Sequence, residues 1–136
     1  MTQRTPSSQP GHRHAATVAG FALLLGSAAA AQPAPPRVVA THPAAGAVVP
    51  AGPLTLSVTF DRPMRTDGYS FIGGPPLFPD CAPKPTVSAD RRTFTLDCKV
   101  VAGRSYQVGF NNLVHRNFVG EDGQPATPAA IRFQAR

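Results

Sequence analysis

The sequence contains no glycine-rich nucleotide-binding loop, no zinc-ligand cluster, no nucleophile motif and no Cys-x-x-Cys pair. These absences leave the residues without a signature for a specific activity. Long stretches without proline are also lacking, because 16 prolines are spread over the 136 residues. Since proline breaks helices, this distribution argues against a helical bundle and favours turn-rich β structure. At this length the chain holds one small domain.

Residues 1–31 have the features of a secretory signal peptide. Positively charged residues, including Arg4 and Arg13, precede an apolar run over residues 15–25, and Ala29 and Ala31 supply the small side chains that a signal peptidase requires. We therefore predict cleavage after Ala31. The alternative, an uncleaved membrane anchor, is disfavoured because the apolar run is shorter than the ~20 residues of a spanning helix.

The exported part begins with a proline-rich linker over residues 32–36, followed by a domain over residues 37–136. Basic residues outnumber acidic ones over the full chain, with 13 Lys+Arg against 7 Asp+Glu, and removal of residues 1–31 takes away only Arg4 and Arg13 among them. They are scattered and form no basic run, so the charge does not indicate nucleic-acid binding. We expect a periplasmic or secreted protein with no stable membrane span after signal cleavage.

Several segments of the predicted domain alternate apolar and polar residues with the period of two that marks a half-buried strand. The clear strands cover residues 54–60, 93–100, 106–110 and 131–136, and weaker candidates cover 37–41, 68–72 and 85–88. Sequences rich in Gly, Pro and Asp separate them. About seven short strands in roughly 100 residues predict an all-β, Ig-like antiparallel β-sandwich, with a small barrel as the fallback.

Tyr106 begins its strand directly after a turn over residues 102–105. Ig-like sandwiches often place a tyrosine at such a point, with its hydroxyl bonded to the backbone upstream. The alternative is an ordinary aromatic core residue. Both interpretations make Tyr106 structural.

Cys81 and Cys98 can form a disulfide in an oxidising compartment. If residues 89–91 turn a hairpin, Val87 lies opposite or near Phe94, and Cys81 comes close to Cys98 on the same inward face. In the simplest register the two cysteines are one diagonal step apart, slightly too far for a bridge. A bend at the prolines between the two segments would close the gap, and we predict the disulfide.

The order and spacing of these motifs resemble the SbsA-type bacterial Ig-like domain. The similar segments are residues 39–49, 56–64, 90–96, 101–108, 122–126 and 131–133. The resemblance implies an Ig-like sandwich that spaces, supports or binds within a cell-surface or secreted protein, and it implies no catalytic residues. The cysteine pair is not expected of that family.

The periplasmic copper-resistance carriers are a second family with a similar sandwich. Copper would need imidazole, thioether or carboxylate groups that converge in space. The predicted mature chain offers His42, His115 and Met64, but it begins with Gln32 in place of the histidine typical of those carriers and has a single methionine. We expect both histidines to be solvated side chains and no bound cofactor.

The sequence gives still less support for calcium binding and for hydrolysis. Asp61 and Asp67 flank a turn and could meet a calcium ion, but such acids more often cap turns. A hydrolytic triad needs a base, a nucleophile and an orienting acid within reach of one another, and neither histidine of the exported part belongs to a recognisable catalytic motif. We therefore predict that the protein is not an enzyme.

The connection over residues 111–127 is long for a link between sandwich strands, and loops of this size are often functional. It carries His115, Arg116 and Phe118, a mixture of charges and an apolar anchor suited to a surface contact. The alternative is that Leu113 and Phe118 cover the open end of the sandwich and that residues 111–112 make a turn.

The sequence as a whole predicts an exported Ig-like module with a non-catalytic binding or structural accessory role in the cell envelope. Its expected partner is an envelope protein or a polysaccharide. The alternative is a periplasmic copper-binding carrier with a similar sandwich fold.

Overall fold

The computed structural model describes residues 2–3, 7, 11, 19–20, 22, 26 and 33–136. The chain divides into two units, Met1–Ala31 and Gln32–Arg136, and the folded domain belongs to the second. The predicted signal peptide falls largely outside the described residues. Among the residues that are described, no helix is long and apolar enough to cross a membrane.

The domain is an all-β sandwich of two sheets. The first sheet has the order β1-β3-β7-β5, with β6 also paired to β7, and the second has the order β2-β9-β8-β4. The strands are β1 Val38–His42, β2 Val48–Val49, β3 Gly52–Phe60, β4 Phe71–Ile72, β5 Asp80–Cys81, β6 Thr86–Val87, β7 Thr93–Val100, β8 Ser105–Phe110 and β9 Ala129–Ala135. This architecture confirms the predicted fold class.

The alternation in the sequence matches the burial of the long strands. In β3 and β7, which pair antiparallel along almost their whole lengths, Leu56 lies opposite Leu96 and Val58 lies opposite Phe94. These four side chains are buried, whereas the residues between them face outward. Because successive strand residues point to opposite faces, the apolar half of each strand forms one wall of the core.

Two strands were not predicted from the sequence. β2 and β5 contain only two residues each, which is too short for an alternating pattern to be detected. β2 also pairs parallel to β9, with Val49 beside Ala135, although the other strand pairs are antiparallel. Tertiary pairing alone creates these short strands.

Aromatic side chains fill the core at the end of the sandwich where β3 and β8 finish. The ring of Phe118 lies 5.0 Å from the rings of Phe60 and Phe94, measured between centroids. Phe71 packs against Phe118 from the second sheet, at 5.1 Å. Aromatic rings at these separations contribute packing beyond the area that they bury.

The start of the domain is held by an arginine and an aspartate. Pro36 is buried, and its carbonyl oxygen accepts a hydrogen bond from the backbone N–H of Thr127 at 2.9 Å. The Arg62 guanidinium donates to the carbonyl oxygen of Ala34 and to the Asp61 carboxylate, at 2.6 and 3.0 Å respectively. The last residues of the proline-rich segment are therefore attached to the sandwich.

The Asp61 carboxylate should make the domain more stable above pH 4 than below it. The hydrogen bond from Arg62, followed by one from the Arg37 backbone N–H, holds the pKa of Asp61 below its ordinary value. The stabilisation is complete above the pKa of the unfolded state, about 3.9, and is lost as the pH falls through the lower pKa of the folded state. Because water reaches this ion pair, we expect a contribution of no more than about 1 kcal/mol.

Urea unfolding at pH 6 and pH 3 measures this effect. The Asp61→Asn variant should lose less stability on acidification than the wild type does. Asp67→Asn, at an exposed position, is the matched control. An equal loss in the wild type and in Asp61→Asn would contradict the assignment.

Candidate functional site

The candidate site is the loop that follows β8, and Asn111 positions it. Asn111 is 3% exposed and has a φ of 59°, in the left-handed region that asparagine tolerates better than most residues. Its amide nitrogen donates to the carbonyl oxygens of Phe118 and Ala126, at 2.9 and 3.1 Å. Its side-chain oxygen accepts the N–H of Phe118 at 3.0 Å. One buried side chain thus joins β8 to two later points of the loop.

Residues 112–115 form a closed turn at the tip of the loop. The Asn112 side-chain oxygen accepts the backbone N–H groups of Val114 and His115, at 2.8 and 2.6 Å. The Asn112 N–H donates in turn to the carbonyl oxygen of His115 at 2.8 Å. This local bonding is the asparagine turn that mimics a backbone turn. It projects Leu113 and Val114 outward, with exposed fractions of 90% and 80%.

The structure separates the three predicted binding residues. His115 and Arg116 are exposed and available to a partner. Phe118 is not, because its side chain is fully buried among the aromatic rings of the core. Its assignment to a binding surface is therefore wrong, and it covers the end of the sandwich as the alternative interpretation had it. Leu113, which that interpretation also placed over the core, points away from it.

The segment just before β4 also holds the base of the loop in place. The hydroxyl oxygen of Ser70 accepts the N–H of Asn117 at 2.9 Å, and the N–H of Asn111 donates to the Ser70 carbonyl oxygen at 3.1 Å. Gly68 lies so close to Asn117 that a Cβ at Gly68 would come within 3.1 Å of the Asn117 carbonyl oxygen. The exposed tip therefore rests on a tightly packed base.

A surface groove of about 490 Å³ adjoins the tip on the outer face of the second sheet. Its lining includes the small residues Gly109 and Ala130 and the larger apolar residues Ile72 and Leu77. Asn112, the first residue of the turn, also lines the groove. No carboxylate or other charged side chain lines the groove, so it offers contact area without acid, base or metal-binding chemistry.

The remaining predicted residues are structural. The Tyr106 hydroxyl accepts the backbone N–H of Val101 at 2.8 Å, an upstream contact of the kind expected of Ig-like sandwiches. Cys81 and Cys98 are joined by a disulfide. The two cysteines lie directly opposite each other in the β5–β7 pair and not one diagonal step apart. The register differs because residues 82–85 interrupt the pairing between β5 and β6, as the prolines there suggested.

The potential copper ligands do not converge. Met64 is fully buried in the core, His42 is exposed at the end of β1, and His115 is exposed on the loop. Asp61, one of the two candidate calcium ligands, forms ion pairs with Arg62 and Arg37. Within residues 33–136 and the few described positions before them, no three His, Cys, Asp or Glu side chains are grouped closely enough to hold a metal ion.

Replacing Asn111 with alanine should destabilise the domain by about 2 kcal/mol, because it leaves buried backbone groups without partners and places alanine in the left-handed region. Asn111→Gly removes the same hydrogen bonds but tolerates the backbone angle, so it should lose less. Chemical unfolding followed by circular dichroism measures both variants. An unchanged midpoint for Asn111→Gly would contradict the role assigned to the side-chain hydrogen bonds.

No protein-family model matches the chain, and no curated protein matches it. A solved structure, that of CopC from Methylosinus trichosporium OB3b, is similar with a TM-score of 0.55 at 20% sequence identity. The alignment covers 74% of this chain and 92% of CopC. The similarity shows the β-sandwich fold. Since one fold hosts many functions, similarity of fold alone does not assign a function to this chain.

A turn at Asn111 and Asn112 was one interpretation of the sequence, but the side-chain hydrogen bonds by which these two residues organise the site were not predicted. The available signal was two consecutive asparagines directly after a strand that ends in an aromatic residue. Asparagine accepts the left-handed conformation and bonds to the backbone two or three residues later, so this dipeptide is typical of a strand that ends in a structured turn.

Proposed function

We propose that this chain is an exported, non-catalytic β-sandwich module of the cell envelope that acts by binding, in the periplasm or outside the cell. The observation that carries the proposal is the loop tip over residues 112–116, which is ordered by its own hydrogen bonds yet leaves its apolar and basic side chains exposed. Exposed groups on a firmly held loop are typical of recognition. We include in this proposal that the module is similar to SbsA-type Ig-like domains.

Several features support binding over catalysis. The titratable side chains of the loop tip, His115 and Arg116, are solvated and have no nucleophile or carboxylate bonded to them within the described residues. The adjoining groove is lined by small, apolar and amide-bearing residues. General acid–base chemistry needs a titratable group held within hydrogen-bond reach of another reacting group.

The proposal is tested by export and capture of the full chain in a bacterial host. We expect the protein in the periplasm or medium, with a mass that corresponds to cleavage after Ala31. Crosslinking in intact cells should then capture an envelope protein or polysaccharide, and the yield should fall in the His115→Ala/Arg116→Ala variant. Lys84→Ala, at an exposed basic position of the other sheet region, is the control. An unprocessed cytoplasmic protein, or equal capture by all variants, would overturn the proposal.

A periplasmic copper carrier is the second candidate, and the similarity of the fold to that of CopC favours it. The donor set argues against it, because the core buries Met64 and the two histidines lie on different elements. Titration of the processed protein with Cu(I) and Cu(II) separates the candidates. Stoichiometric binding that His42→Ala or His115→Ala weakens would establish the carrier function, and no such binding is expected of the module.

A further inference from the structure

The loop tip carries the most exposed pair of large apolar side chains among the described residues. Leu113 is 90% exposed and Val114 is 80% exposed, while the other exposed large apolar residues lie between 37% and 56%. The two are adjacent and occupy the apex of the turn over residues 112–115. Leaving them in water is unfavourable, so their exposure calls for a surface that covers them.

Three backbone N–H groups of this turn are already hydrogen-bonded within it. Burying a backbone N–H group that lacks a partner is costly. The N–H groups of Val114 and His115 already donate to the Asn112 side chain, and the N–H of Asn112 donates to the His115 carbonyl oxygen. These bonds form within the turn itself. The apex can therefore leave water without giving up these hydrogen bonds, as hydrocarbon requires.

The charges beside the apex favour an anionic surface. His115 and Arg116 follow Val114 directly, and no carboxylate occurs between Asp97 and Glu121. The segment before β4 packs against the loop through Ser70. The charged residues that precede Ser70 most closely in the sequence are Asp67 and Arg65. Glu121 forms an ion pair with Arg91, and Asp122 bonds to Gln124. The Arg116 guanidinium next to the apex is thus left unopposed within the turn.

The small area of the apolar apex, Leu113 and Val114, favours a lipid surface over a protein as the surface that covers these two side chains. A stable protein interface needs about 800 Å² from each partner, and two side chains on a convex turn supply only a small part of that area. A membrane interface requires no complementary shape, and it binds apolar side chains together with neighbouring basic ones. We infer that Leu113 and Val114 insert into the interface of an anionic phospholipid membrane, with Arg116 at the level of the headgroups.

This inference rests on the proposed function in one respect, because it needs the module to be exported to a membrane-bounded compartment. Binding of the processed protein to vesicles of phosphatidylcholine, with and without phosphatidylglycerol, tests it directly. We expect binding to the anionic vesicles that weakens in high salt. Leu113→Ser/Val114→Ser should bind about ten-fold more weakly, since two apolar side chains are lost from the interface.

Val48→Ser/Val101→Ser is the matched control, because it removes exposed apolar groups, 53% and 54% exposed, from the opposite end of the sandwich. It should bind like the wild type. Arg116→Gln should bind more weakly and lose part of its salt dependence. All variants change exposed side chains, and unfolding curves verify that they remain folded.

Three results would overturn the inference. They are absence of wild-type binding to anionic vesicles, equal binding of the tip variant and the wild type, and concentration-dependent dimerisation that only the tip variant abolishes. If the wild type is exported and captures an envelope partner but ignores vesicles, the proposed function stands and the lipid contact fails. Retention of an unprocessed protein in the cytoplasm would overturn both.

Discussion

The Phe118→Ala variant is expected to lose about 3–5 kcal/mol of unfolding free energy. Phe118 is fully buried, and its ring lies 5.0–5.1 Å from three other phenylalanine rings of the two sheets. Alanine would leave a cavity where the loop closes the end of the sandwich. A small domain has a total stability of about 5–15 kcal/mol, so this variant should be folded only marginally. Urea unfolding followed by circular dichroism measures the loss.

Arg116→Ala provides the control, because its side chain is exposed and substitutions at such positions usually change stability by no more than about 0.5 kcal/mol. Phe118→Leu should lie between the wild type and Phe118→Ala. A wild-type unfolding curve for Phe118→Ala would show that the loop is not part of the core. A binding experiment that changes Phe118 together with Arg116 would measure unfolding, so the surface variants above leave Phe118 intact.

The Cys81→Ala/Cys98→Ala variant is expected to be about 3 kcal/mol less stable than the oxidised wild type, from the chain entropy that the bond removes from the unfolded state. The disulfide joins residues that are 17 positions apart. It attaches the two-residue strand β5 to β7, and few other bonds hold that strand. Without it we expect β5 to separate from the sheet first, which hydrogen exchange of the Ala82 amide should report, since that N–H donates to the Asp97 carbonyl oxygen.

Reduction of the wild type gives an independent measurement. Fully reduced wild type should unfold at a urea concentration close to that of the double alanine variant, and both should unfold earlier than the oxidised protein. Alanine is preferable to serine here because Cys98 is buried and a hydroxyl group there would need a partner. Identical unfolding curves for oxidised and fully reduced protein would contradict the expected contribution.

The long strands could be predicted because each carries its own pattern. Alternation over residues 54–60 and 93–100 identifies the buried faces of β3 and β7, and the same holds for β8 and β9. A turn over residues 89–91 also places Val87 opposite Phe94, as predicted. The relevant information is local in each case, since the period of two is a property of the strand backbone.

The loop could not be predicted in the same way. Leu113 and Phe118 are both apolar residues of one connection, yet Leu113 is exposed and Phe118 is buried. Their fates depend on the backbone reversal at Asn111 and on its bonds to Phe118 and Ala126. Those contacts join residues that no periodic pattern relates, so the sequence supports either assignment of the loop.

The sequence by itself determined the all-β class and the inward faces of the four long strands, and it predicted that Cys81 and Cys98 form a disulfide. Only the tertiary structure decided the two sheets' strand order, the direct pairing of Cys81 with Cys98, and which apolar side chains of the loop face water. The physical reason is the separation, along the chain, of the residues that interact. Alternation and turn chemistry act between near neighbours, whereas register, closure of the sandwich and exposure of the tip depend on contacts between distant parts of the chain.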